Sequence, residues 1–438
     1  MIKSVKGIEL WNEAKKIIPG GTQLLSKRSE MYLPGKWPSY FKKAKGVEVE
    51  DLDGNKLIDM SIMGIGSCVL GYADEDVNNA VKKVIDDGSM CTLNTFEEVE
   101  LAKKLIEIHP WAEQVRYCRT GGEAMAVAAR VGRAFSKKDK IAFCGYHGWH
   151  DWYLSSNIAK EDNLNGHLLP GLEPLGVPRG LLNTALPFKY NNIGELERII
   201  KKHDIGTIII EPMRHQEPVG GFLEKVRDIS NEIGAVLIFD EVTSAWRNNL
   251  GGIHLKYGVY PDVAVFGKAI SNGFPMAAII GKRHIMEVFQ KSFISSTYWT
   301  ERIGPAASLA TIKKMEEKDV ANHISEIGKM IEIGWKKLSE KHGLDISTIG
   351  PYSLITLKFN YSKDQEIKTL FIQEMLKRGF LANLTVYVSY SHKKQHVKKY
   401  LDNVDAVFET IKKAIDNNEI LKSIEGDVAH KGFKRLTD

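Results

Sequence analysis

Six short apolar runs, separated by stretches of helical or loop character, constrain this chain more than any other feature. They are 115–118 (VRYC), 140–144 (KIAFC), 207–212 (TIIIEP), 235–242 (AVLIFDEV), 262–268 (DVAVFGK) and 277–281 (AAIIG). Unbroken, β-branched runs of this length suit strands buried on both faces. Residues 96–108, 123–135 and 223–233 carry helical periodicity between them. Strands separated by helices imply an α/β fold with a parallel sheet and right-handed crossovers.

The chain has 438 residues, which at ~150 residues per domain predicts two or three domains. The texture suggests 1–65 as an N-terminal segment, 66–310 as a large α/β domain and 311–438 as an α+β unit. In the first, VEVEDLDGNKLIDM (47–60) alternates around Asp-Gly and predicts a hairpin. The last predicts a long charged helix over 310–342, a strand over 352–359, a helix over 365–378, a strand near 379–388 and a helix over 393–415. Segment 150–190 is rich in Gly, Pro and Asn and is the candidate lid.

The formal net charge is +5, too small over this length to argue for nucleic acid. No run reaches the ~18 apolar residues of a membrane helix. The opening MIKSVKGIELWNEAKK lacks the apolar core of an export signal, so a cytoplasmic protein is expected. Cys68, Cys91, Cys118 and Cys144 form no C-x-x-C and are expected as reduced thiols, small core residues on strands.

In open α/β sheets, ligands bind beyond the carboxyl ends of the strands. After VRYC comes Arg119-Thr120-Gly121-Gly122-Glu123, opening a helix. Bare N–H groups there suit a phosphate, although a plain glycine-rich turn has the same pattern. The spacing is neither G-x-G-x-x-G nor a Walker motif, which argues against dinucleotides and nucleoside triphosphates. After KIAFC comes Gly145-Tyr146-His147-Gly148-Trp149-His150-Asp151-Trp152. An aromatic here either stacks on a planar ring or packs under a loop. His147, His150 and Asp151 have no further candidate ligand nearby, so no metal site is expected.

Asp240 ends a buried strand and must be paired; a protonated pyridine nitrogen or a nearby Arg247 would serve. Lys268 also follows an apolar strand. Desolvation would make it a nucleophile for a carbonyl, unless its amine snorkels to water. Ser295-Ser296-Thr297 precede a helix and either cap it or meet a phosphate. Taken together, these residues are a set for pyridoxal phosphate: a phosphate cup, a stacking aromatic, a carboxylate for the ring nitrogen and an imine-forming lysine.

With these motifs the chain resembles the class III aminotransferases of the fold-type I pyridoxal-phosphate enzymes, nearest to the glutamate-1-semialdehyde aminomutase subgroup. The resemblance runs from about residue 8 to 415. It rests on Pro19-Gly20-Gly21, RTGGEA (119–124), GYHGWHD (145–151), IIIEP (208–212), LIFDEV (237–242), FGKAISNGFPMAAIIG (266–281) and STYW (296–299). It implies a large, mainly parallel seven-stranded sheet domain and a smaller α+β domain built from both termini. It also implies that Lys268 binds the cofactor as an imine and shuttles a proton. Asp240 would pair with the pyridine nitrogen, Val242 and Tyr146 would cover the ring, and Thr120, Gly121 and Gly122 would hold the phosphate. Thr297 would reach the phosphate of a neighbouring subunit, making a homodimer. Glu211 would lie near the substrate and Gln216 near the cofactor's 3′-oxygen.

The sequence departs from the aminomutase pattern after Pro19-Gly20-Gly21. A leucine falls where that subgroup has a carboxylate-binding serine, and Lys27 or Arg28 falls at its arginine. Thr243-Ser244-Ala245-Trp246-Arg247 and Tyr298-Trp299-Thr300-Glu301-Arg302 are expected to add bulk at the pocket mouth. The implied activity is transfer of an amino group, with L-glutamate a candidate donor and an amino-sugar or surface-glycan carbonyl a candidate acceptor. Intramolecular transfer of the aminomutase kind is the alternative. A regulator without turnover is disfavoured, because the first ~60 residues carry neither a helix-turn-helix pattern nor a basic stripe.

Overall fold

The computed structural model describes residues 5–167 and 170–432. Its strands, in chain order, are β1 (Phe41–Lys45), β2 (Glu48–Asp51), β3 (Lys56–Met60), β4 (Gln114–Cys118), β5 (Lys140–Cys144), β6 (Ala185–Pro187), β7 (Ile205–Ile210), β8 (Val236–Asp240), β9 (Val263–Phe266), β10 (Ala277–Gly281), β11 (Ile346–Ile349), β12 (Leu354–Phe359), β13 (Phe380–Ala382) and β14 (Thr385–Tyr387). The chain forms two units, one of residues 75–321 and one of residues 1–74 with 322–438. The sequence placed these boundaries at 65/66 and 310/311. Residues 1–4, 168–169 and 433–438, which fall in the N-terminal segment, the lid candidate and the C-terminal unit, lie outside the described residues.

The 75–321 unit holds one seven-stranded sheet in the order β4-β10-β9-β8-β7-β5-β6. β6, β5, β7, β8 and β9 run parallel, while β10 is antiparallel to both β9 and β4. The strands are apolar throughout because both faces are covered. Ile141, Phe143, Ile209, Val236 and Ile238 point to one face and pack with Ala124, Met125 and Ala128 of the Gly121–Ser136 helix. Their neighbours Ala142, Cys144, Ile208, Ile210, Leu237 and Phe239 point to the other, against Leu196, Phe222, Leu223 and Val226. The two-residue period thus splits each run between two cores.

The other unit carries a β1-β2-β3-β13 sheet and a β11-β12-β14 sheet. The hairpin pairs Glu48 with Ile58 and Glu50 with Lys56, and β13 joins β3 in parallel. Two expectations change here. The 310–342 helix is two helices, Ile303–Glu317 and Val320–His342, broken where Asp319 takes φ +45°. Asp tolerates that left-handed geometry better than most residues. The strand near 379–388 is likewise two, β13 and β14, which enter different sheets. Cys118 and Cys144 are buried strand ends, but Cys68 and the exposed Cys91 lie outside strands. No helix among the described residues is long and apolar enough to cross a membrane.

Candidate active site

The carboxyl ends of β4, β5, β7, β8 and β9 bring most of the expected residues together. Asp240 closes β8 and is 3% exposed. Its Oδ2 lies 2.8 Å from His147 Nδ1, and its Oδ1 accepts from the Val242 N–H at 3.0 Å. An ionised carboxylate only accepts, so Nδ1 carries the proton. The structure therefore gives Asp240 a histidine partner, where the sequence weighed Arg247. His147 is buried, edge-on to Phe143 and stacked on Trp152.

Lys268 follows β9 and Gly267 and opens a short 3-10 turn. Its φ of +45° is the left-handed region, which a lysine occupies only when its surroundings impose it. Its Nζ donates to Thr243 Oγ1 at 2.8 Å, so the amine stays in the site. Burial pushes the amine down to about 7, and the Arg214 guanidinium adds to that. Glu211 and Asp240 oppose the shift, and Arg247 reinforces it weakly. The result is a lysine that is substantially neutral near neutral pH.

Glu211 follows β7, and the site's main cation, missed from sequence, sits three residues on. Arg214 Nη1 lies 3.1 Å from Glu211 Oε1, and both side chains are largely buried, at 12% and 8% exposure. Glu211 Oε2 also accepts from the Tyr146 N–H at 3.0 Å. Arg214 lies over the Tyr146 ring, 6.0 Å from its centroid. The clue in the sequence was the i, i+3 spacing of Glu211 and Arg214. Gln216 is exposed and lines a cavity of about 350 Å³ with Glu211 and Arg214.

Thr120 is the N-cap of the Gly121–Ser136 helix and forms a capping box with Glu123. A Cβ on Gly121 would meet Val242 Cγ1 at 2.7 Å, and one on Gly148 would meet Gly122 Cα at 3.0 Å. A side chain at Gly121 or Gly148 would crowd this turn, where the helix's first N–H groups lie. Val242 also lies 3.3 Å from where a Gly267 Cβ would stand. It joins the helix start to the Lys268 turn.

Other expected residues fall elsewhere. Thr297 is exposed on a 3-10 turn that Arg119 anchors through the Trp299 and Glu301 carbonyls. Glu301, not a hydroxyl, caps the following helix, accepting from the Ile303 and Gly304 N–H groups. Lys27 and Arg28 belong to the other unit, Lys27 exposed and Arg28 beneath Gly20. Trp246 does not add bulk at the pocket mouth. It is fully buried, edge-on to Phe266 and His109. Among the described residues, no group of three or more His, Cys, Asp or Glu could hold a metal.

The donor set fits pyridoxal phosphate. The glycine cradle would take the phosphate, Val242 and Tyr146 the ring, Asp240 the ring nitrogen and Lys268 the aldehyde.

A family model for class-III aminotransferases matches residues 34–423. The 3-aminobutyryl-CoA aminotransferase of Cloacimonas acidaminovorans (strain Evry) is 34% identical over 359 residues, covering 80% of this chain and 82% of that one. A glutamate-1-semialdehyde 2,1-aminomutase of Methanothrix thermoacetophila is 33% identical over 415 residues, 90% of this chain and 94% of the other. An omega-transaminase structure from Sphaerobacter thermophilus superposes with a TM-score of 0.82 at 25% identity, over 93% of this chain and 98% of that one.

Proposed function

The chain belongs to the class-III aminotransferases, which are pyridoxal-phosphate-dependent, and from that premise we propose that it moves an amino group from L-glutamate to a separate carbonyl acceptor. The observation that carries this reading is the convergence of Lys268, Asp240 and Arg214 at the strand ends, with the Lys268 amine near 7.

Bound pyridoxal phosphate supplies an electron sink that makes the Cα–H of an attached amine acidic. Lys268, whose buried amine is lowered to about 7, would be the group placed to accept that Cα proton and give it back. Asp240, held by His147 and the Val242 N–H, would face the ring nitrogen and accept from its N–H. The N–H groups of Gly121 and Gly122 bind the phosphate at the helix start. Tyr146 and Val242 cover the ring and exclude water.

We also propose a homodimer in which Thr297 completes the partner's phosphate site. Phe96, Leu93 and Tyr298 are 62%, 77% and 70% exposed, and this exposed apolar surface supports an interface. Arg302 ties the two stretches together, bonding Glu97 and the Ser89 carbonyl. A cytoplasmic location agrees with four free thiols.

For the acceptor, an amino-sugar or surface-glycan carbonyl is proposed, supported by the departures from the aminomutase pattern at 22–28. Relatives named as aminomutases favour a second reading, transfer within one substrate. The deciding experiment is the visible spectrum of the loaded protein before and after L-glutamate. Bleaching of the yellow band with release of 2-oxoglutarate supports intermolecular transfer. Clean isomerisation of an amino-aldehyde with no free keto product would replace it with the second reading. A protein that takes up no pyridoxal phosphate would overturn both.

A further inference from the structure

Resting on the aminotransfer reading, we propose that Thr243 is a positioning residue for Lys268: its hydroxyl holds the amine in place and favours the protonated form that the amine reaches on accepting the Cα proton. Lys268 Nζ donates to Thr243 Oγ1 at 2.8 Å, and Thr243 is 5% exposed.

The turn that carries Thr243 is pinned on both sides. Asp240 Oδ1 accepts from the Val242 N–H at 3.0 Å, and the Glu241 carbonyl accepts from the Ala245 N–H at 3.1 Å. The Glu241 N–H donates to the Val265 carbonyl at 2.9 Å, which ties the turn to β9 two residues before Gly267. Asp240 and Glu241 face opposite ways, as neighbours at a strand end do. The Glu241 side chain is wholly buried and gathers the Ser244 hydroxyl, the Ile253 and His254 N–H groups and His254 Nδ1. His254 Nε2 in turn accepts from Trp111 Nε1 at 2.8 Å. On the other side, Lys268 leaves a backbone held at φ +45°, in a turn closed by the Ile270 N–H on the Gly267 carbonyl. Both partners are therefore set in place before any reaction, which is what positioning requires.

The hydroxyl suits both states of the amine. A neutral amine has two N–H donors and one lone pair. Giving one N–H to Oγ1 turns the lone pair away from Thr243, so the base stays free. Once protonated, the amine has three donors and no lone pair. Oγ1 then accepts from a charged donor, and such bonds are roughly twice as strong as neutral ones. The proton comes from Cα and the same Nζ gives it back, so the amine ends as it began. Thr243 raises the amine's basicity without adding a charge. The charged groups that act on this amine are Arg214, Glu211, Asp240 and Arg247. All four remain when Thr243 is replaced, so a change in the amine's titration reports on the hydrogen bond.

The test compares Thr243→Val, which keeps the branched shape and loses the hydroxyl, with Thr243→Ser, which keeps the hydroxyl. In the apoenzyme, the pH midpoint for capture of pyridoxal phosphate should fall by about 0.5–1 in Thr243→Val and return close to wild type in Thr243→Ser. In the loaded enzyme, kcat of the half-reaction with L-glutamate should fall about five- to tenfold in Thr243→Val, with KM within about twofold. The isotope effect from α-deuterated L-glutamate should rise with it, because the Cα proton transfer is the step that slows. Thr243→Ser should recover both. A Thr243→Val midpoint within about 0.2 of wild type overturns the proposal. So does a midpoint that rises, which would show the hydroxyl donating to the lone pair. A Thr243→Ser variant as impaired as Thr243→Val, or a loss confined to KM and cofactor affinity, marks packing alone and also overturns it. If no amine bleaches the wild-type band, the aminotransfer reading fails, yet the capture midpoint still decides whether Thr243 holds the amine.

Discussion

Removing the His147 ring tests how the site holds the Asp240 carboxylate. Asp240 is 3% exposed and accepts from two donors, His147 Nδ1 at 2.8 Å and the Val242 N–H at 3.0 Å. His147→Ala deletes the first and leaves Oδ2 buried without that donor. A hydrogen bond to a charged group contributes about 1.5–3 kcal/mol. The ionised carboxylate becomes less favourable by that amount, so its grip on a ring-nitrogen proton falls by about ten- to a hundredfold. His147→Asn places an amide N–H where Nδ1 stood and should recover most of the loss. Ala leaves a larger void beside Phe143 and Trp152 than Asn does, so His147→Val, close to Asn in size but without a donor, is the packing control and should behave like Ala. The assay is the half-reaction with L-glutamate, followed by loss of visible absorption, together with cofactor affinity from titration of the apoenzyme. The expected order is wild type, then Asn within a few-fold, then Ala. An Ala variant as fast as wild type, or an Asn variant as slow as Ala, refutes the role given to His147.

Three further outcomes are expected. Lys268→Ala should abolish turnover while still taking up pyridoxal phosphate through the helix start and Asp240; full transamination by it would strip Lys268 of its role. Gly121→Ala puts a Cβ 2.7 Å from Val242 Cγ1, and such overpacking costs about 1–3 kcal/mol. Thermal melting and cofactor titration should show a loss that Val242→Ala in the same chain largely restores; no loss in the single variant would deny the close approach. In the apoenzyme, the rate of pyridoxal phosphate capture should rise as pH passes through about 7 and then level, because the neutral amine is the nucleophile. A rate that climbs only in the range of an ordinary lysine contradicts this. Between about pH 7 and the ordinary lysine value of about 10.5 the unfolded chain binds more protons at Lys268 than the native one. This amine's penalty is therefore full below that window and fades as pH rises through it.

The sheet was legible because a strand buried on both faces must be apolar at every position, and such runs are hard to mistake. The 96–108 pattern coincides with the Phe96–Ile108 helix. What the sequence hid was punctuation. Asp319 stops a helix in a stretch whose charges look continuous, and 383–384 divide a run that reads as one strand. Neither break contains Gly or Pro. The short β6 was invisible for another reason: Ala185–Pro187 has almost no pattern and exists by pairing with β5.

At the site, residues at strand ends were readable one by one, whereas their partners were not. Asp240 and His147 are separated by 93 positions, and their pairing depends on how β5 and β8 align across β7. Trp246 misled because sequence gives size but not direction; its side chain turns into the core instead of the pocket. Arg214 was overlooked although its carboxylate is three residues away, because nothing in the sequence says that a loop after a Glu-Pro is held in place.

The Lys268 amine feels the charges on both sides of the site. Burial lowers it most, Arg214 next, while Glu211 and Asp240 raise it and Arg247 lowers it slightly. Two carboxylates therefore stand against two guanidiniums, and much of the charge influence offsets, leaving burial to set the value. The two members of the Glu211–Arg214 pair should then move the amine in opposite directions. Arg214→Gln removes a repelling cation, so the capture midpoint should rise. Glu211→Gln removes an attracting anion, so it should fall below about 7. Apoenzyme capture rates across the neutral range, measured for each variant and for both changes together, decide the matter. The double variant should return toward wild type. If both single changes shift the midpoint the same way, the pair acts by shaping the loop and not by its charge, and the electrostatic account of Lys268 fails.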